Sequence, residues 1–506
     1  MIWLLRLRWA GRDWYLADAI CAPVSDGVEI PHLGTLEVDG FSEAIDMGGG
    51  IGGAMSADIS LDLLAAEDMA DLFLRGLSID GSEAELALWD ASRTYGQRVK
   101  VLQGRLRIDS VPQPGEPMTA TLTDELLAPA EGYPPSDAVA EVETWSTVPD
   151  ESDGQRYPFP IGTLGPYVRG DGTTGSAWAS TVVIVDDTPG SEKGLVSGAA
   201  IGASTVTITE TDLDVSDTFA VTTEQDDLGR SVAVVDLSAK TGAWTLDGTV
   251  DLRVSDMDGG LKKSHGSGTI RGLGDAALHL LLQRYSAEGP TRVDIGRWIA
   301  SMGWLNAWKV GFYLETGADP LDTIGELLCQ MCPGLWIMPG PNGFRPVCLI
   351  DRDPATCIHL EIGRNCDYDD DSEQGRIDLD PVTSCTAWYA FGMRKDTYRA
   401  KVVIDETKHP LAFAGSTRQA GAKEVNCASY DRATAALTAS EWVRLYWTKP
   451  SYFSVQVEAV LALELELGTK VRFTDAERGL AERPMYVQGR QTEDPDVWTL
   501  TLLGWW

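Results

Sequence analysis

Apolar and polar positions alternate with a period of two at both ends of the chain. Trp3, Leu5, Leu7 and Trp9 fall on one face of an opening strand while Arg6 and Arg8 fall on the other. A tight turn at Gly11-Arg12 folds Met1 to Ala19 into a two-stranded ribbon. Val471 to Trp506 predicts three more strands, closing on the alternation Trp498, Leu500, Leu502. Ile59-Ser60-Leu61-Asp62-Leu63 alternates likewise, and Val99 to Ile108 should pair with Met118 to Leu122 across Pro112-Gln113-Pro114-Gly115. One helix, near Ala66 to Leu74, interrupts this first region.

The pattern changes in the middle. Short β-branched runs (Thr181 to Val185, Thr205 to Ile208, Val232 to Val235) between Gly, Asp and Thr turns predict a small sandwich or barrel. Helices follow in a group. Asp275 to Tyr285 carries Ala277, Leu278, Leu281, Leu282 and Tyr285 on one side. Asp294 caps a helix with Ile295, Trp298, Ile299 and Met302 inward. Asp319-Pro320 opens a third helix that Pro333-Gly334 stops. Leu335 to Met338 and Phe344 to Ile350 then flank the turn Pro339 to Gly343 as a hairpin. We divide the chain accordingly into a β region 1–133, an acidic β-rich region 134–271, an α+β region 272–372 and a closing β region 373–506. No strict sequence repeat relates the two ends.

With 506 residues and 43% hydrophobic content, the chain is long enough for several cores and ordinary for a folded protein. Its 76 acidic against 41 basic residues give a net charge of −35, which argues against binding nucleic acid by neutralising phosphates. The same charge suits a surface that nucleic acid slides past. From Asp137 to Asp258 there are 22 acidic and 6 basic residues, so nearly half the excess sits there; the last 67 residues are almost balanced, at 10 and 7. Arg6 and Arg8 break the apolar opening, so no secretion signal is expected, and no run reaches the roughly 20 residues that span a bilayer. Eight cysteines in so long a chain suggest a reducing cytosol.

Candidate chemistry is thin. Gly48, Gly50 and Gly53 match GxGxxG, but a strand rather than a helix follows, which favours a loop. Asp367, Asp369 and Asp371 have EF-hand spacing, but the turn glycine is Ser372 and the twelfth position is Asp378. Cys329 and Cys332 form a CxxC at the end of an apolar helix, and a metal or iron–sulfur site would need Cys348, Cys357 or Cys366 to converge with them. No GxSxG or HExxH occurs; His279 sits among leucines, while His32, His265, His359 and His409 are isolated. The 17 tryptophans could line a carbohydrate groove, but Trp3, Trp9 and Trp498 alternate as core residues do, and Trp505-Trp506 suggests a subunit contact. No catalytic, cofactor-binding or metal-ligating residue is assigned.

Three stretches carry a family resemblance. Ile59 to Asp62 with Leu77 to Trp89 (LSIDGSEAELALW) and Arg98 to Val111 (RVKVLQGRLRIDSV) resembles the first domain of tail hub (baseplate hub) proteins of long flexible-tailed bacteriophages. Leu280 to Leu321, containing VDIGRWIASMGWLNAWKVGFYL, then a helix, Leu335-Trp336 and the Pro339–Gly343 turn, resembles the third domain. The ending LELGTKVRFTDAERGL…MYVQGR…WTLTLLGW resembles the closing barrel; only about 190–260 lies outside the likeness. The resemblance implies a mainly β, multidomain protein with an α+β insert and two tube-like β-barrels at the termini. It also implies a virion structural role as a homotrimer at the tail tip of a siphophage, assembled in the host cytoplasm. Three copies would present six barrels to the sixfold tube and line the channel through which DNA passes transiently. Expected partners are the distal tail protein ring, the tape-measure protein and central fibre or tail-tip proteins, without membrane insertion.

Two other classes stay open on the residues. A β-rich glycoside hydrolase needs two carboxylates converging at about 5–10 Å. A carbohydrate- or receptor-binding tip module needs an exposed aromatic patch on the second region.

Overall fold

A computed structural model describes residues 1–45, 50–51, 55–62, 67–109, 117–123, 132–176, 179–241, 251–286, 292–315, 317–350, 354–368, 374–376, 381–392, 397–405, 421–447 and 450–505. The alternation at the start builds β1 (Ile2–Trp9) and β2 (Arg12–Ala17), whose turn sits one residue earlier than expected, on Ala10 and Gly11, both with positive φ. Trp3, Leu5, Leu7 and Trp9 are buried while Arg6 and Arg8 face solvent. There follow β3 (Leu33–Gly34), β4 (Leu36–Ala44), β5 (Ser56–Leu61), α1 (Glu67–Leu74), β6 (Glu83–Trp89), β7 (Val99–Ile108) and β8 (Met118–Thr123). Their order is β4-β5-β8-β7-β6-β1-β2-β3. Because β3 runs directly into β4, the strand order returns to the segment where it began, and the sheet closes on itself. The β7–β8 pairing is as expected; its Pro112–Gly115 turn lies outside the described residues.

The acidic region forms a second ring. It uses β9 (Ser180–Thr181), β10 (Val183–Asp186), β11 (Lys193–Ser197), β12 (Thr205–Glu210), β13 (Val215–Gln225), β14 (Ser231–Asp236) and β15 (Leu252–Asp256). The run expected as one strand changes partner at Val182: β9 pairs with β15 and β10 with β11. The order β9-β15-β12-β13-β14-β11-β10 therefore begins and ends on one continuous segment. The apolar runs Val183–Val185 and Val232–Val235 fill it.

The α+β region contains α2 (Leu273–Arg284) and α3 (Ile295–Leu305), capped by Asp294 through Arg297 N, then a helical run from Pro320 to Met331. This run holds a π-turn at Ile324–Leu328, which helical spacing alone does not announce. Two sequence expectations fail here. α2 is buried on nearly every side, Asp275 and His279 included, because neighbours pack around it; Leu282 is only half-buried. Ile299 on α3 is 52% exposed, because Trp298 and Leu305 alone of the helix's side chains are fully covered. The hairpin is β16 (Leu335–Met338) with β17 (Arg345–Cys348).

Beyond it come β18 (Ile358–Glu361), β19 (Gln374–Arg376), the three-stranded group β20 (Ser384–Gly392), β21 (Thr397–Asp405) and β22 (Ala422–Asn426), α4 (Arg432–Tyr446), β23 (Ser451–Glu458), α5 (Ala459–Glu464), β24 (Lys470–Asp475), β25 (Leu480–Asp494) and β26 (Val497–Gly504). Two segments pair across the expected borders. Phe159–Gly162 joins Gly311–Leu314, and β18 joins β24 as a parallel neighbour, so residues 358–361 belong to the closing sheet. That sheet runs β19-β23-β26-β25-β24-β18, and the Asp367–Gln456 bridge brings the far end of the β18 segment back to β23. With 48% of residues in strand and 17% in helix, the chain is mainly β.

Candidate functional site

The two terminal groups of strands share one feature that sequence reading did not reveal. β4 and β25 pair antiparallel, Ala44 with Gly489 through Phe41 with Thr492, so both ends of the chain lie in one continuous sheet. The pairing is extended by Ile45 N donating to Gln488 O at 2.8 Å and Gln488 Nε2 donating to Ile45 O at 2.9 Å. Across it Phe41 and Trp498 pack with ring centroids 5.5 Å apart. The N-terminal ammonium reaches Asp496 Oδ1 at 2.6 Å on the last hairpin.

Glu43 stands at the middle of this seam with its side chain wholly buried. Arg345 Nη2 of the α+β hairpin donates to Glu43 Oε2 at 2.9 Å, and Arg490 of β25 binds Oε1 through Nε and Nη2. Arg490 also donates to Ala462 O at 3.1 Å and lies over the Trp498 ring. Burial opposes the Glu43 charge, but the Arg490 and Arg345 guanidiniums outweigh it and hold the carboxyl below its ordinary range. One carboxylate thus ties together the first region, the hairpin and the closing region. A buried pair of this kind adds little net stability, but it penalises misregister, because a slip would leave charges unpaired. Beside the seam a groove of about 690 Å³ is lined by Asp39, Asp58, Glu493 and Asp494.

The sequence candidates end up scattered. Gly50 O accepts Ile337 N and the Cys329 thiol at 3.0 and 3.2 Å, so this glycine serves packing; Gly48 and Gly53 lie outside the described residues. Asp367 bridges to Gln456, while Asp369, Asp371, Ser372 and Asp378 lie outside. Cys329 and Cys332 are buried, and burial pushes the Cys329 thiol up to about 12 and Cys332 well above its usual value, so both are protonated near neutrality. Among the described residues no three His, Cys, Asp or Glu side chains converge as metal ligands. His279 is buried between Ser264 Oγ (2.7 Å) and Tyr133 Oη (3.3 Å), and burial lowers its pKa to about 4, which makes it a neutral structural link. His32 packs between Tyr15 and Tyr95, and His359 bonds Thr474; His409 lies outside. Trp505 packs on Tyr486 with centroids 5.9 Å apart; Trp506 is outside. In the acidic region the exposed large apolar residues described are Val142, Val168, Leu213 and Leu228, none of them aromatic.

No family model matches the chain, and no curated protein matches it. Among solved structures it is similar to the 43 kDa tail protein of prophage MuSo2 from Shewanella oneidensis, at 9% identity and a TM-score of 0.41 over 99% of this chain and 98% of that one. It is similar also to a tail protein from Neisseria meningitidis MC58, at 10% identity and a TM-score of 0.42 over 99% and 96% of the two chains. A chain of the virion of a native gene transfer agent particle matches at 13% identity and a TM-score of 0.40, over 73% of this chain and 88% of that one.

Proposed function

We propose that this chain is a structural protein of a bacteriophage tail: the trimeric hub at the distal end of a long flexible tail, where three copies adapt a sixfold tube to a threefold tip. The reading starts from the order of hub-like stretches in the sequence. The observation that carries it is the β4–β25 seam, which fuses two terminal β rings edge to edge within one chain. A tube ring is built of barrels joined side by side. A chain that already contains two joined barrels supplies two of the six positions, and three copies close the ring.

The role needs shape and charge rather than chemistry. The distal tail ring, the tape-measure protein and the central fibre or tip proteins are the expected neighbours. The charge of −35 would keep DNA from sticking as it passes. The acidic surplus is shared by the first region, with 22 acidic against 9 basic residues over 1–133, and the second ring, while the closing region is nearly balanced; we place the second ring where the chain projects towards the tip. The test is imaging of assembled tails by electron microscopy. A threefold collar of six barrels beneath the last sixfold ring is expected; a collar containing six copies of this chain, or none, overturns the hub.

A further inference from the structure

The two terminal groups are the same unit built twice. The first runs β5-α1-β6-β7-β8 with strand order β5-β8-β7-β6; the second runs β23-α5-β24-β25-β26 with order β23-β26-β25-β24. Both enter their second strand from a glycine at φ +76, and the hydrogen bonds there agree in pattern. Gly81 N donates to Leu106 O at 2.8 Å and Leu106 N to Ser82 O at 3.0 Å; Gly468 N donates to Val487 O at 2.8 Å and Val487 N to Thr469 O at 3.0 Å. Leu106 faces Leu122 as Val487 faces Leu502. Each unit also carries a flanking strand on its first strand, β4 on β5 and β19 on β23.

The seam joins the flank of the first unit, β4, to the third strand of the second, β25. The repeat therefore leaves every chain with the reciprocal pair of edges, the third strand of the first unit and the flank of the second. Among the described residues, β19 is the last strand on its side of the sheet. On β7, the edge beyond Leu106 is met only by a side chain in the described pairing: Ile108 N donates to Asp80 Oδ1 at 3.0 Å. The matching position of the second unit is Leu467, which cannot accept that bond, and there β4 takes the edge. Asp80 thus occupies a backbone donor that a strand would use, a common way of blunting an edge.

We propose that these reciprocal edges join neighbouring copies: β7 of one copy pairs antiparallel with β19 of the next, as β4 pairs with β25 within the chain, and the Asp80 carboxylate gives way. The register follows from the repeat. Gln491 lies opposite Thr499 as Asp109 meets Thr119, and Ser42 opposite Ser56 corresponds to Gly375 opposite Tyr452. The seam pair Gln491–Ser42 therefore maps onto Asp109 of one copy and Gly375 of the next, both exposed. The number of copies rests on the hub reading; the choice of edges does not.

The test is the full-length double variant Asp109→Cys, Gly375→Cys, oxidised mildly, with subunits resolved on a non-reducing gel and the assembly weighed by native mass spectrometry. Covalent dimers and trimers are expected from the double variant and from neither single variant. A trimer that forms by mass without cross-linking above the single-variant level overturns the proposed edges and leaves the hub standing. A chain that stays monomeric and uncross-linked at high micromolar concentration overturns both.

Discussion

The first and second terminal units have one strand order but complete their rings differently. The first adds its own hairpin, β1–β2, and closes through β3 into β4. The second, among the described residues, has no such hairpin and borrows β18 from the far side of the α+β region. The cores compensate. The first receives Trp3, Trp9 and Trp14 from its hairpin, and its repeated strands carry the smaller residues Ala57, Met118 and Ala120. The second fills the same positions with Phe453, Trp498 and Leu500. The large side chains come from the hairpin in one unit and from the repeated strands in the other, a redistribution that close-packed interiors tolerate.

The seam is where the two units depend on each other most. Glu43→Ala leaves Arg345 and Arg490 buried without their carboxylate and should cost about 3–5 kcal/mol in denaturant unfolding. Its pH signature follows from sign. Glu43 titrates lower in the folded chain, so its contribution is complete above the unfolded value of about 4.3 and is lost as pH falls through the folded value. Glu43→Gln should flatten the acid limb of stability against pH; an unchanged limb contradicts the assigned pairing.

Next comes the difference between cores. Trp498→Ala should cost about 3–5 kcal/mol and Met118→Ala, at the matching position, clearly less, since the first ring has the hairpin tryptophans to collapse around. Equal losses would argue that the rings are not packed as described. The paired glycines sharpen the match further. Both need left-handed backbone, so each alanine should cost about 1–2 kcal/mol. Gly468→Ala should cost more than Gly81→Ala, because its Cβ would meet Val347 Cγ1 at 2.9 Å and Cys348 O at 3.1 Å while that of Gly81 meets nothing within 4 Å. Smallest is Arg6→Ala on the outer face of β1. It removes a partly exposed ion pair with Asp13 and should shift stability by less than about 1 kcal/mol.

Much of the fold was legible because alternation is local. Trp3 to Trp9 and Trp498 to Leu502 became strands with the expected face inward, and Val99 to Ile108 became a strand paired as expected. The seam was not legible. It joins residues 41–44 to 489–492, a pairing with no local signature, and Glu43 is one of 76 acidic side chains. The repeat left a trace in Met118-Thr-Ala-Thr-Leu122 against Trp498-Thr-Leu-Thr-Leu502, which alternation alone could not separate from any other strand. Ile299 misled because helical spacing assigns a face without saying what covers it.

The most direct measurement is a reconstruction of the assembled tail tip that resolves this chain. Three copies are expected, their terminal units alternating around the axis as six like barrels. Three copies with those units lying apart, or a ring in which one unit per chain faces the tube, would contradict this arrangement.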